Sequence, residues 1–314
     1  MRPAGQVTTR SPAILLVVAG MLCQEVGASI AVLLFPKTGP LGMVMLRLVF
    51  SAVILLAIAR PRLRGHTASG WRAVVGFGLV LALMNGLFYL ALSRLPLGVT
   101  VTIEVLGPLV LSIVAARRAS AWLWAALAFA GVLALGGGRW DHLDPLGVLF
   151  ALGAAASWAL YIVSSARVGR EFPKLDGLAI AMTIGAVVAL PFGVLDAGAQ
   201  LLQLSVVGLG AAVAVLSSTI PYALELMALR RMPASVFAIL MAASPATATL
   251  AGFVLLGQAM TWVELVGIAL VIAASIGAVR SAAPKRSARV DADAAAGSLE
   301  PPVEPEEPFA EPVA

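Results

Sequence analysis

The sequence predicts an all-α polytopic membrane protein with ten transmembrane helices arranged as two inverted five-helix repeats. Three observations carry that reading: the apolar composition, the segregation of basic residues between alternate loops, and a motif that returns after 137 residues. Of 314 residues, 61% are hydrophobic and 12% charged, and the mean hydropathy is +0.99. An ordinary soluble domain is about 45–50% apolar and about 25% charged, so a water-soluble globule is excluded. At about 20 apolar residues per crossing, ten crossings leave only short connections and tails, with no room for a sizeable soluble catalytic domain.

Taken in order, the apolar runs are bounded by charges, prolines or glycines. The first, 12–35, follows Arg10 and stops before Pro36 and Lys37. It is too long for the core of an export signal, and Leu22 ahead of the single cysteine, Cys23, does not suit a lipoprotein cleavage box. Gly39 and Pro40 open the second run, 39–60, which closes on Arg60. The third, 71–93, ends before Arg94, and the fourth, 97–115, lies between Pro96 and the pair Arg117 and Arg118. The fifth, 121–138, ends in three glycines. Asp144 precedes the sixth, 145–164, and Arg167 and Arg170 follow it. Lys174 precedes the seventh, 175–196, and the eighth, 204–229, ends at Arg230 and Arg231. The ninth, 233–256, runs from a proline to Gly257, and the tenth, 262–279, ends at Arg280.

Alternation from a cytoplasmic N-terminus collects 17 of the 21 Lys and Arg residues on the inner side. Lys37, Arg94 and Arg139 fall outside, and Arg47 lies within a span. A miscounted span would mix the two sets, so their separation supports ten crossings with both termini cytoplasmic. The predicted organisation is a cytoplasmic N-terminus (1–11), a first repeat (12–138), a second repeat (145–280) and a disordered cytoplasmic tail (281–314). That tail carries seven acids against three bases and is rich in Ala and Pro. The rest of the chain is strongly basic, but its bases fall in the inner loops, so a membrane and not a nucleic acid is the partner they indicate.

Segment 91–96 reads ALSRLP and segment 228–233 reads ALRRMP; the same 137-residue offset carries Pro108 onto Pro245. Each half holds five runs, and an odd number forces the second copy to enter the membrane upside down. Inverted repeats are an architecture of carriers whose substrate site lies near the midplane where the halves meet. Small residues four apart (Gly153 with Ser157, Gly208 with Ala212, Ala273 with Gly277) offer surfaces for close helix packing. Pro108, Pro221 and Pro245 remove backbone donors within runs and mark sites for kinks or breaks.

Four ionisable residues lie inside the runs: Glu25, Arg47, Glu104 and Glu225. Each costs about 2.5–3.5 kcal/mol at the bilayer centre unless compensated, which makes each a candidate for function. A rise of about 1.5 Å per residue puts Glu25, Arg47 and Glu104 roughly 10–15 Å from the outer ends of their runs, in one layer. Glu225 falls only about 6 Å from a cytoplasmic end, where an interfacial or structural role is expected. Within the layer one base faces two acids. Arg47 can meet a substrate carboxylate, while Glu25 or Glu104 can bind an ammonium or carry a coupling proton. A permanent Arg47–Glu104 bridge that only fixes packing is the structural alternative. The offset sets Ile162, Ile184 and Met241 opposite Glu25, Arg47 and Glu104, so the second half repeats the scaffold without the charge. Among its aromatic and hydroxyl residues, Trp158 and Tyr222 lie deep enough to contact substrate, beside Asn85 from the first half. Tyr161 and Ser217 to Thr219 are the weaker candidates.

Catalytic chemistry is missing. His66 and His142 fall in loops on opposite faces, and no phosphate-binding G-x-x-x-x-G-K-[ST] loop is present. No enzyme, cofactor or metal site is expected, and uphill movement would use an ion or substrate gradient.

The stretches GASIAVLLFPKTGPLGMVMLRL (27–48), MNGLFYLALSRLPLG (84–98), IEVLGPLV (103–110), SWALYIVSSARVG (157–169) and STIPYALELMALRRMP (218–233) resemble the EamA-type drug/metabolite transporter superfamily. Within it they are most similar to the threonine/homoserine exporters of bacteria. The resemblance implies ten helices in two inverted repeats, a place in the bacterial plasma (inner) membrane and export of small amino acids. It carries over Arg47, Asn85, Tyr89, Glu104 and Glu225. Three departures stand out: Ser244 where such exporters often have Glu before the ninth-run proline, Gln258 where they often have Glu, and Glu25 where the pattern has a neutral amide. The reading is therefore a secondary exporter of small amino acids, whose partners are the bilayer, its substrate and protons. Efflux of another metabolite or a cationic drug is the same-class alternative. A membrane scaffold or sensor using the acidic tail is the alternative of a different class.

Overall fold

The computed structural model describes residues 10–116, 120–135, 143–173, 175–229, 231–232 and 234–282. His142, the triple glycine and the acidic tail lie outside the described residues. Among those described, all regular structure is helical. The helices are α1 (Arg10–Ala59), α2 (Ala68–Leu92), α3 (Leu97–Glu104), α4 (Leu106–Ala116), α5 (Ser120–Leu135) and α6 (Pro145–Glu171). They continue with α7 (Asp176–Ala197), α8 (Leu204–Ala214), α9 (Ile220–Leu229), α10 (Ala234–Met241), α11 (Ser244–Leu256) and α12 (Trp262–Ala282). Among the described residues six stretches are long and apolar enough to cross a membrane, and three shorter apolar helices accompany them. Large side chains such as Leu33, Phe129, Val187 and Leu195 stand more than half exposed on the outside of the bundle. Such a surface suits lipid and not water.

Where the structure departs from the apolar runs, backbone chemistry gives the reason. The first two runs are joined in α1, which Gly39 divides with non-helical angles (φ 64°, ψ 167°) between Pro36 and Pro40. A Cβ at Gly39 would fall on the Asp196 carboxylate, which accepts from the Leu41 amide at 2.8 Å and the Gly42 amide at 3.3 Å. This carboxylate from the end of α7 thus caps the restarted helix. The fourth run is not continuous either: Val105 separates α3 from α4, three residues ahead of Pro108. The ninth breaks the same way at Ala242 and Ala243, ahead of Pro245. The eighth holds a π-turn, Val215–Thr219, between α8 and α9. The sixth extends to Glu171, so Arg167 and Arg170 lie on its last turns, favourably placed for cations near a helix C-terminus.

Small residues set the closest approaches. Gly131 on α5 and Gly267 on α12 meet reciprocally, each leaving space for the other's carbonyl. Gly277 faces the Trp124 ring and Gly153 faces Leu87. Gly208 does not behave as expected: nothing lies within 4 Å of a Cβ there, and it is Gly210 that packs, against Leu46. At the start of α6, Asp144 accepts from the Leu146 and Gly147 amides and is bridged to Arg94 at 2.7 Å. The Arg94 hydrogen bond, then those amides, hold its carboxyl below the usual aspartate range.

Candidate functional site

Both parts of α1 converge with α2, α3, α6, α9, α10 and the π-turn on a cavity of about 150 Å³. Glu25, Arg47, Asn85 and Glu104 line it from the first half of the chain; Trp158, Tyr161, Ser217, Glu225 and Met241 line it from the second. Gln24, Ala28, Met84 and Phe88 complete the wall.

The guanidinium is held from three directions. Arg47 donates through Nη2 to the Ser217 carbonyl at 3.0 Å, through Nε to the Ser218 hydroxyl at 3.3 Å, and through Nη1 to the Tyr89 hydroxyl at 3.5 Å. Its Cζ sits 5.7 Å from the centre of the Tyr89 ring. The first acceptor follows from the sequence. In an unbroken α-helix the Ser217 carbonyl would be bonded by the amide four residues on, but that residue is Pro221, which has no N–H. The π-turn and the proline together release a main-chain oxygen toward the cavity, the use to which π-bulges are often put. Tyr89, with no exposed surface, is itself wedged against Phe35 and Phe88.

The carboxylates come from three elements. Glu25 is 2% exposed, and Glu104 ends α3 at the break. Pro108 has no N–H to return to the Glu104 carbonyl, and Pro245 has none for Met241 four residues before it. The same backbone device therefore brings an acid into the cavity in one half and a thioether in the other. Asn85 donates its amide to the Leu81 carbonyl at 2.8 Å. Three carboxylates facing one guanidinium suit a ligand that carries at least one cationic group, and Arg47 provides for an anionic one. Among the described residues no cluster of His, Cys, Asp or Glu could hold a metal.

Comparison with known proteins places this geometry. Residues 145–280 match the EamA-like transporter family. Over 269 residues the chain is 39% identical to the threonine/homoserine exporter RhtA of Escherichia coli (strain K12), covering 85% of this chain and 90% of that one. The chain belongs to the EamA-type threonine/homoserine exporter family. To RhtA of Salmonella typhimurium (strain LT2) this family member is 38% identical over 267 residues, 84% of this chain and 90% of the relative. An uncharacterized transporter, YwfM of Bacillus subtilis (strain 168), is 28% identical over 261 residues, 78% of this chain and 85% of its own. A crystal structure of another protein superposes with a TM-score of 0.57 at 21% identity, over 88% of this chain and 100% of that one, a likeness of fold alone. Its relatives are carriers and not enzymes, and this family member is a multi-pass membrane protein.

Within it, Glu25, Arg47, Asn85, Glu104 and Trp158 lie together on the cavity wall. Tyr89 does not line the cavity; it stands behind Arg47 as a support. Glu225, for which an interfacial or structural role is expected, lines the wall. The Tyr222 side chain lies outside the described residues, although its backbone belongs to α9. Pro108 and Pro245 act on the backbone, as their chemistry requires. Gln24, Met84, Phe88 and Met241 were not singled out as ligand contacts. The apolar types of Met84 and Phe88 give no signal in such a chain and only the repeat offset from Glu104 points to Met241, whereas the polar amide of Gln24 inside an apolar run is a signal that could have found it. Gln258 has a structural post: its Oε1 accepts from the Leu97 amide at 2.9 Å, capping α3.

Proposed function

We propose that the protein exports small amino acids of the threonine and homoserine type from the cytoplasm by alternating access, with flux coupled to protons. The observation that carries this is the convergence of Glu25, Glu104 and Arg47 on one cavity with groups from the other half of the chain. In this reading the substrate carboxylate meets Arg47, which Tyr89 and the Ser217 carbonyl hold in place, and its ammonium meets Glu104. Glu25 carries the proton, while Asn85, Trp158 and Tyr222 bound the substrate.

The architecture proposed is ten helices in two inverted repeats, 12–138 and 145–280, with both termini cytoplasmic. Helix pairing supports it. Under the 137-residue offset the second part of α1 corresponds to α7, α5 to α12, and α3–α4 to α10–α11. Each packs on its own counterpart, and the α2–α6 pair corresponds to α8–α9 against the start of α1. A pairing scheme that maps onto itself is what a two-fold axis in the membrane plane demands.

Counterflow of labelled L-threonine in proteoliposomes tests the function. The unaltered protein should exchange it, homoserine should compete, and Glu104→Gln should reduce exchange at least tenfold. Undiminished, pH-insensitive exchange in Glu104→Gln would remove Glu104 from the mechanism. Exchange of other metabolites but not of these two would overturn the substrate assignment.

A further inference from the structure

A second cavity, of about 280 Å³ and mostly apolar, adjoins the polar one. Trp158, Glu225 and Met241 stand in the walls of both. Among the described residues Glu225 is the only ionisable one in the second wall, which otherwise draws on both helix breaks, at Val105 and Ala242, and on α6, α10 and α12. Ser275, also in that wall, is 5% exposed, and its hydroxyl has no hydrogen-bond partner among the described residues. A buried hydroxyl left in that condition is unfavourable, and the loss is recovered when a polar group arrives. Phe237 and Met241 lie three and seven residues into α10, about 5 and 10 Å from its start. In the proposed orientation that start faces the cytoplasm.

We propose that the apolar cavity is the antechamber of the substrate path. An amino acid enters it from the cytoplasmic side with its ammonium on Glu225 and its side chain against Phe237 and Ala238, then passes between Trp158 and Met241 into the polar cavity. The wall selects its chemistry: the ammonium finds the Glu225 carboxylate and the substrate's own carboxylate finds the Ser275 hydroxyl, unpartnered among the described residues, whereas a further charge on the side chain would be pressed against apolar surface without a partner. Neutral amino acids pass, and dibasic and dicarboxylic ones are turned back before they reach Arg47. The proposal rests on the exporter reading and adds to it an entry compartment and its partition.

Thiol labelling in a Cys23→Ser background tests it, since Cys23 is the chain's single cysteine. Ser275→Cys reports on the antechamber and Ala28→Cys on the polar cavity; the probe is a small membrane-impermeant cationic methanethiosulfonate, applied to inside-out and right-side-out vesicles. The Ser275→Cys thiol should react from the cytoplasmic face, at least tenfold more slowly with saturating L-threonine. Adding Met241→Trp should slow labelling of Ala28→Cys from that face at least tenfold and leave Ser275→Cys within twofold; Met241→Phe is the second blocker should the larger ring prevent insertion. An unreactive Ser275→Cys, no protection by L-threonine in a protein that still exchanges it, or Ala28→Cys labelling indifferent to both blockers would each overturn the antechamber. Failure of the unaltered protein to exchange L-threonine would instead overturn the exporter reading, and the two blockers would still decide the path.

Discussion

The two halves of the molecule bend their helices alike and furnish the cavity differently. Breaks at Val105 and Ala242 each precede a proline, and the residue four before that proline lines the cavity in both halves. In the first half it is Glu104, beside Glu25, Arg47 and Asn85; in the second it is Met241, beside Trp158, Tyr161, Ser217 and Glu225. Backbone devices recur because both halves must bend. Ionic groups need not recur, because one amino acid presents one ammonium and one carboxylate. The lesson is that scaffold and specificity separate cleanly here, prolines and glycines for the one, charge for the other.

Exchanging the charge across the halves is the severest way to break that comparison. Glu104→Met combined with Met241→Glu keeps the composition of the cavity and should lower L-threonine exchange about a hundredfold; retained exchange would mean that either half can hold the acid. A gentler probe leaves the charge and removes its planar fork. Arg47→Lys cannot reach the Ser217 carbonyl, the Ser218 hydroxyl and Tyr89 together, and about a tenfold fall in exchange is expected, with thermal unfolding in detergent little changed.

The first turn of each half sharpens the contrast through stability. Gly39 joins the two parts of α1 in a backbone region open only to glycine, against the Asp196 carboxylate, whereas in the second half α6 and α7 are separate helices. Gly39→Ala should cost at least about 2 kcal/mol, read as a lower unfolding midpoint, while Gly208→Ala, with open space around it, should change nothing measurable. The smallest effect belongs to the exposed pair that links the halves. Because the folded Asp144 carboxyl is more acidic than the unfolded one, its contribution is present above about pH 4 and fades as pH falls through the lower folded value. Asp144→Asn should lower the midpoint by about 1 °C at pH 7, less in high salt, and by progressively less as the pH falls below about 4.

Particular residues show how far the sequence could be read. Among the described residues every apolar run is built of helix, because charges and prolines at its ends are costly to bury and so announce themselves. Glu25, Arg47 and Glu104 were findable for the same reason: an ionisable residue in an apolar run is conspicuous. Met84 and Phe88 were not, since a helix facing lipid on one side and a bundle on the other is apolar all round and its periodicity names no inner face. Tyr89 entered by family likeness, and only the packing of its ring behind Arg47 shows it as a support. The caps made by Asp196 and Gln258 join positions 155 and 161 residues apart, a pairing that no local pattern encodes.

Holding Arg47 by the oxygen of Ser217 has a consequence for how this site can change over generations. A main-chain acceptor survives loss of the hydroxyl at position 217, so a change to alanine there leaves the strut in place. The vulnerable letter is Pro221, one turn away: a codon change restoring an amide at that position would offer the oxygen a competing donor and weaken one of the guanidinium's three holds. Variation that retunes this carrier is thus to be sought first at a residue with no role in holding cargo.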